Sequence, residues 1–400
     1  MTTTVKILLV DDEPFALKLL ARQLAGLGYT NVVATEVAAD ALALVASGNP
    51  IDLVMCDLQM PEMDGIELMR HLASVGYTGA IVLVSGEDVR ILHTAQMVAQ
   101  SHHMNVLGAL SKPIPPAELS RILEGLAGCV KTVPKRVSKS YSAVELEHGI
   151  LAGQLVNHYQ PKVDVASGLV QGVESLVRWG HPSDGLVYPD QFIATAEEHG
   201  LINILTDAVM TNTLRQTRLW LDAGIDIHVA INVSMDNLAA VEFPDRVAAE
   251  AKKEGVPLNR LELEVTESRL MRDPRAALDI LTRLRLKRIG LSVDDFGTGY
   301  SSLAQLRDIP FDELKVDRGF VHGACYNPQL RGIFEASLGM AKHLGMRTVA
   351  EGVEDEADWE FLRLTGCDLA QGYFISKPMP AERLSAWLTA WEIRRPGLVR

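Results

Sequence analysis

Apolar and polar positions alternate between two periods along the first third of the chain. From residue 5 to about 125, short β-branched runs ("VKILLV", "NVVAT", "IDLVMCD", "GAIVLVSG", "NVLGALSKP") are each followed by a stretch with apolar residues three and four apart. That alternation predicts a five-stranded, doubly wound α/β domain with a mostly parallel sheet over 1–127. The first helix is the best marked: Pro14 suits its first turn, and Leu17, Leu20, Leu24 and Leu27 recur along one face. From about 142 the strand-like runs resume as "LVNHYQPKVDV", "LVQGVESLVRW", "DIHVAINVS", "LELEVTES", "GLSVDDFG", "FDELKVD", "RTVAEGVE" and "LAQGYFIS". Helical spacing separates most of them, as at 203–223, 328–344 and 381–391. Eight strands with intervening helices predict a TIM-type (β/α)8 barrel over 142–393.

The stretch between the two patterns, 128–141, carries Lys131, Lys135, Arg136 and Lys139 and no acid. It reads as a solvated basic linker rather than a nucleic-acid patch, and 394–400 reads as a disordered tail. The 400 residues have 48% hydrophobic and 22% charged positions and a formal net charge of −13. Such a chain folds around more than one core, has no broad DNA-binding surface, and puts its excess acid to use at local cation sites. The four cysteines form no CxxC spacing, which points to reduced thiols and away from a zinc site. No apolar run is long enough to span a membrane, and "MTTTVKILLV" lacks a signal-peptide pattern, so a cytoplasmic protein is expected.

In the first domain Asp11 and Asp12 end the first strand, Asp57 the third and Ser85 the fourth, while Lys112 precedes Pro113 after the fifth. Ligands of doubly wound sheets bind beyond the carboxyl ends of the strands, so these five side chains should converge. Three carboxylates can hold one hard divalent cation, and one with a free oxygen can attack a phosphoryl donor. A lysine and a hydroxyl then neutralise and bond the new phosphate. The motifs "ILLVDDEP", "CDLQMPEMDG", "LVSGE" and "LSKP" resemble the receiver domain of two-component response regulators. The resemblance implies that Asp57 is the phosphoacceptor, that Asp11, Asp12 and Asp57 bind one Mg²⁺, that Ser85 is the switch hydroxyl and that Lys112 binds the phosphate. It implies a sensor histidine kinase or phosphotransfer protein as partner. The chain departs from the family at Ala109, where an aromatic is usual, at Ile114, where phenylalanine is usual, and in a longer Ser85–Lys112 segment. These departures imply an unusual output surface around the fourth helix and fifth strand.

In the second domain the polar residues at strand ends are Gln160, Glu174, Arg178, Asn232, Glu264, Glu267, Asp294, Asp295, Lys315, Asp317, Glu351, Glu354 and Gln371. Buried carboxylates at this density are too costly unless cations bind among them. Oxygen-only ligands favour Mg²⁺ or Mn²⁺, and their number suggests two ions bridged by an aspartate, a phosphoester-cleaving arrangement. Taken alone, Lys315 either orients the attacking water or makes an ordinary ion pair.

"YQPKV", "ESLVRW", "INVS", "LEVTES", "DDFGTGYSSL", "LKVDRGFV", "VAEGVE" and "AQGYFISKPMP" together resemble the EAL family of cyclic di-GMP phosphodiesterases, with Ser175 in place of the alanine of the naming motif. By that resemblance Glu174, Asn232, Glu264 and Asp294 hold one metal, and Asp294, Asp295 and Glu351 serve the second. Lys315 and Asp317 position the hydrolytic water, with Glu354 supporting that side, and Gln160, Leu176, Arg178 and Gln371 contact the dinucleotide. Glu267 anchors the loop "FGTGYSS", one barrel strand runs antiparallel, and the barrel mediates a homodimer or higher oligomer.

The implied reaction is hydrolysis of cyclic di-GMP to linear 5′-pGpG, modulated by the receiver. The alternatives are a non-hydrolysing cyclic di-GMP receptor, which would have lost a ligand or the lysine, and a protein that signals by binding a kinase or phosphotransfer partner. His102 and His103, adjacent on a helix, read as surface residues. Trp179 reads as core, with guanine stacking as the alternative.

Overall fold

The computed structural model describes residues 5–48, 50–86, 89–101, 104–130, 141–266, 274–297 and 303–399. The chain divides into two compact units, Met1–Val137 and Ser138–Arg400. His102, His103, Glu267 and most of the basic linker lie outside the described residues.

The first unit runs β1 (Ile7–Val10), α1 (Pro14–Gly26), β2 (Val32–Thr35), α2 (Ala38–Ala46), β3 (Leu53–Asp57), α3 (Gly65–Ser74), β4 (Ala80–Ser85), α4 (Val89–Ser101), β5 (Asn105–Ser111) and α5 (Pro116–Val130). The strands are all parallel, in the order β2-β1-β3-β4-β5. Period-two alternation divides the sheet between two apolar layers: Ile7 and Leu9 pack with Leu17, Leu20 and Leu24 of α1, while Leu8 and Val10 pack with Leu68 and Leu72 of α3. Leu27 falls outside the α1 stripe, because the helix ends at Gly26 and Leu27 is a half-exposed cap residue. In β5 the pairing steps from Val106 to Gly108, so Leu107 is the extra residue of a bulge just before Ala109.

The second unit begins with α6 (Ala143–Leu151), followed by β6 (Leu155–Asp164), β7 (Val170–His181), β8 (Gly185–Val187), α7 (Ile193–Glu198), α8 (Ile202–Asp222), β9 (His228–Val233), α9 (Met235–Leu238), α10 (Phe243–Glu254) and β10 (Leu261–Thr266). It continues through α11 (Pro274–Leu286), β11 (Gly290–Phe296), α12 (Leu303–Asp308), β12 (Glu313–Val316), α13 (Arg318–Val321), α14 (Pro328–His343), β13 (Arg347–Ala350), α15 (Glu356–Thr365), β14 (Leu369–Ala370), β15 (Met379–Pro380) and α16 (Leu384–Arg394). Strands β7 and β9 to β14 form a parallel run, and β6 closes the barrel by pairing antiparallel with both β7 and β14. Strands β8 and β15 extend the edges.

Because β6 runs against its neighbours, its later residues meet the beginnings of theirs. There Lys162 is buried between Glu262 and Glu313, and Arg347 pairs with Glu313 at 2.6 Å. This ion cluster plugs the end of the barrel opposite the carboxyl ends of the parallel strands.

The C-terminal tail is ordered to Val399, contrary to expectation. Leu398 packs on the barrel core, its carbonyl accepts from the buried Trp359 indole at 3.1 Å, and Arg395 Nη1 donates to Ser167 O at 3.3 Å. An apolar side chain and a partner for a buried donor hold the segment down. Among the described residues no helix is long and apolar enough to cross a membrane.

Candidate functional site

In the first unit the sheet brings the expected set together. Asp11 follows β1, Asp57 ends β3, and Lys112 follows β5. Lys112 Nζ lies 2.7 Å from Asp11 Oδ2 and 2.7 Å from Asp57 Oδ2. Oxygens of Asp11, Asp12 and Asp57 all fall within 4.8 Å of one another. Ser85 is fully buried at the end of β4, and its carbonyl accepts from Lys112 N at 2.8 Å. Burial raises the Asp57 pKa despite the opposing pull of Lys112. Lys112 is itself raised, because the two carboxylates outweigh its own burial. Gly65 is required by close approach, since a Cβ there would sit 2.4 Å from Asp57 O.

The barrel site is built on strand ends. Glu174 (β7), Asn232 (β9), Glu264 (β10), Asp294 (β11) and Lys315 (β12) point inward, with Glu351 just past β13 and Gln371 just past β14. Lys315 is fully buried, and its Nζ lies 2.7 Å from Glu351 Oε1, 2.8 Å from Glu264 Oε2, 3.0 Å from Asp294 Oδ1 and 3.7 Å from Glu174 Oε2. One ammonium therefore faces four carboxylates. Glu174 Oε1 accepts from Asn232 Nδ2 at 2.7 Å and its Oε2 from Gln371 Nε2 at 2.6 Å. Gln371 also donates to Gln160 Oε1 at 3.1 Å. Glu264 Oε1 is buried with no hydrogen-bond partner.

The electrostatics follow from that shortage of positive charge. Burial pushes Glu264 well above the usual carboxylate range, with Glu174 and Asp294 adding to the shift against Lys315. Burial likewise pushes Glu351 up to about 8. Glu174 is lowered instead: Lys315, Gln371 and Asn232 together outweigh its burial.

Asp294 and Asp295 reach the site together through a bulge. Val293 pairs with Leu314 and Phe296 with Val316, leaving two aspartates opposite Lys315 alone. Asp295 takes a left-handed φ of 54°, and burial followed by repulsion from Asp294 pushes its pKa up to about 6. Oxygens of Asp294, Asp295 and Glu351 lie within 4.8 Å of one another.

The remaining expected residues stand around this centre. Asp317 caps α13 by accepting from Gly319 N at 2.8 Å, and Glu354 pairs with Arg318 at 2.7 Å. The Arg178 guanidinium lies 5.0 Å from the Tyr188 ring centroid, and its buried Nε has no partner. Leu176 and Asn232 border an apolar cavity of about 290 Å³ reaching toward α7 and α8. Trp179 is core: it is 1% exposed, donates to Gln154 Oε1 at 2.9 Å and packs on Tyr141, so it is not available to a guanine. Ser175 points outward, its Oγ 2.8 Å from Thr213 Oγ1 of α8, which leaves Glu174 free to face the interior.

A response regulator receiver domain model matches residues 7–124, and an EAL domain model matches 143–378. The cyclic di-GMP phosphodiesterase RocR of Pseudomonas aeruginosa is 30% identical over 94% of this chain and 96% of its own length. The chain belongs to the EAL domain family. The bifunctional diguanylate cyclase/cyclic di-GMP phosphodiesterase MucR of the same organism is 44% identical over 60% of this chain, which spans 36% of MucR's length. The solved structure "PaMucR Phosphodiesterase, c-di-GMP complex" is similar with a TM-score of 0.58 and 43% identity, covering 60% of this chain and 98% of that one. The EAL domain of Mycobacterium smegmatis DcpA is similar at 33% identity and a TM-score of 0.51, over 60% of this chain and 97% of that one.

As an EAL-domain response regulator the chain has a receiver whose acidic cluster is intact and a barrel whose expected ligands converge. His322 and Asp358 tie the segments after β12 and β13: His322 Nδ1 lies 2.8 Å from Asp358 Oδ2, and Glu354 N donates to the same oxygen at 3.0 Å. Neither lies on a strand end, so the strand-end pattern gave no signal for them.

Proposed function

We propose that the barrel hydrolyses one phosphodiester of cyclic di-GMP to linear 5′-pGpG with two Mg²⁺ or Mn²⁺ ions, and that phosphorylation of Asp57 adjusts the rate. The observation that carries the reading is the cage around Lys315, where four carboxylates share one ammonium and Glu264 Oε1 has no partner. An all-oxygen set with surplus negative charge suits hard divalent cations. Glu174, Asn232, Glu264 and Asp294 would hold one ion, and Asp294, Asp295 and Glu351 the other. Bound there, such ions polarise a phosphoryl oxygen and make water a nucleophile at neutral pH.

The chain's own side chains do the remaining work. Lys315 holds and orients the attacking water, with Asp317 and Glu354 on the flanking loops supporting that side. Gln160, Leu176, Arg178 and Gln371 hold the dinucleotide. RocR and the MucR complex, both named for this dinucleotide, support the choice of substrate. In the receiver, Lys112 bridges Asp11 and Asp57 and is placed to neutralise a phosphoryl group arriving on Asp57 from a histidine kinase or phosphotransfer protein. Asp11, Asp12 and Asp57 would hold one Mg²⁺ there. A homodimer through the barrel and a cytoplasmic setting complete the reading, the latter in keeping with the free thiols of Cys56, Cys325 and Cys367.

The test is incubation of pure protein with cyclic di-GMP and Mg²⁺ or Mn²⁺, followed by chromatography for pGpG. Glu174→Ala should abolish turnover, and Asp57→Asn should keep basal turnover while losing any response to a small-molecule phosphodonor. Tight binding without product would overturn the enzymatic reading in favour of a receptor.

A further inference from the structure

We propose that Asp358, together with His322, is a positioning pair that locks the loop after β12 to the loop after β13, and so fixes Asp317 relative to Glu351. The proposal rests on the hydrolytic reading of the barrel. Asp358 is the third residue of α15 and 1% exposed, so its carboxylate needs donors. It has three. His322 Nδ1 at 2.8 Å and Gly323 N at 3.1 Å come from the end of α13, and Glu354 N at 3.0 Å comes from the loop after β13. The carboxylate is not spent on its own helix, because the cap of α15 is Asp355, which accepts from Asp358 N at 2.9 Å.

Two further contacts tie the same loops. Arg318 pairs with Glu354 at 2.7 Å, and the Arg318 stem lies over Gly352, where a Cβ would come within 2.3 Å of it. Gly352 has a left-handed φ of 66°, which only glycine takes at low cost. Asp317 immediately precedes Arg318, and Glu351 immediately precedes Gly352. The water-orienting side and one carboxylate of the cage are therefore carried on two loops that act as one body, and Asp358 is the joint. Misplacement of a reacting group by about 1 Å can cost on the order of 100-fold in rate, so the joint acts on turnover more than on substrate affinity.

The experiment uses full-length Asp358→Asn, His322→Ala and His322→Asn proteins. Steady-state kinetics with cyclic di-GMP and Mn²⁺ are measured well below each variant's melting temperature, alongside calorimetric Mn²⁺ titration. Asp358→Asn turns an –NH2 toward the donors on one side of the former carboxylate, either Gly323 N or His322 Nδ1 with Glu354 N, and should lower kcat by roughly 10- to 100-fold, with KM changed by less than about twofold. His322→Ala should do the same, and Mn²⁺ binding should weaken for one ion only. His322→Asn, whose amide can donate from near the Nδ1 position, should recover most of kcat. Unchanged kcat in Asp358→Asn, or His322→Asn as slow as His322→Ala, would overturn the pairing. If the wild type forms no pGpG, the hydrolytic reading fails by itself. The joint is then decided by the Mn²⁺ titration, where equal affinity in Asp358→Asn and wild type would sink it.

Discussion

Replacing Lys315 by methionine removes the ammonium that, among the described residues, faces the four carboxylates of the barrel cage, while nearly preserving shape. Lys315 is itself fully buried, and its Nζ makes three contacts of 2.7 to 3.0 Å with Glu351, Glu264 and Asp294, whose side chains are at most 18% exposed. Breaking a buried ion pair by deleting one partner typically costs about 3–5 kcal/mol, because the other charge is left uncompensated. At about 2–4 °C per kcal/mol for a domain of this size class, the metal-free melting temperature should fall by roughly 6–20 °C.

The loss should be smaller at pH 6 than at pH 8.5, since Glu264 and Glu351 have raised pKa values and can take up protons at the lower pH. Saturating Mn²⁺ should then stabilise Lys315→Met more than wild type, because the four carboxylates no longer have an internal competitor. Occupancy at 100 times Kd contributes about 2.7 kcal/mol per site. Differential scanning calorimetry with and without Mn²⁺ measures both effects, and turnover should be lost even in the Mn²⁺-loaded variant. A metal-free loss below about 1 kcal/mol, or equal Mn²⁺ stabilisation of variant and wild type, would refute the view of Lys315 as the cage's counter-charge.

Three further outcomes are expected. Gly372→Ala should destabilise the barrel by about 1–3 kcal/mol or more in urea unfolding and weaken substrate binding through Gln371, since its Cβ would lie 2.2 Å from the backbone N and O of Val353. In the metal-free protein, Glu351 is held near pKa 8 against an ordinary 4.5, and Asp295 near 6 against 3.8. A folded-state pKa above the unfolded one gives stability that is present at low pH and lost as pH rises, so the melting temperature should decline between about pH 4 and 8. Mn²⁺ binding at pH 7 should release protons, seen as a buffer-dependent calorimetric enthalpy. A melting temperature that is flat with pH and a buffer-independent enthalpy would count against these assignments.

The doubly wound order of the receiver, the eight barrel strands and nearly all the acidic positions were legible because each depends on local pattern. Strand ends in α/β folds point at the site, so Asp57, Glu174, Glu264 and Asp294 could be picked out without coordinates. Leu27 falls one residue beyond the end of α1 at Gly26, a difference that periodicity cannot register when cap geometry is unseen. The tail was misjudged because its anchors, the Trp359 indole and the Ser167 carbonyl, are distant in sequence.

By itself the sequence determined which residue types stand at the ends of which strands, and hence that a cluster of oxygen ligands had to form. Only the tertiary structure decided how the charges balance. It set Lys315 among four carboxylates and buried a second lysine, Lys162, at the far end of the barrel. It turned both Asp294 and Asp295 toward the site through a bulge and joined two loops at Asp358. Periodicity reports which face a residue occupies. Burial, pairing and loop closure depend on residues far apart in the chain, and those contacts decide which carboxylates stay ionised and where they are held.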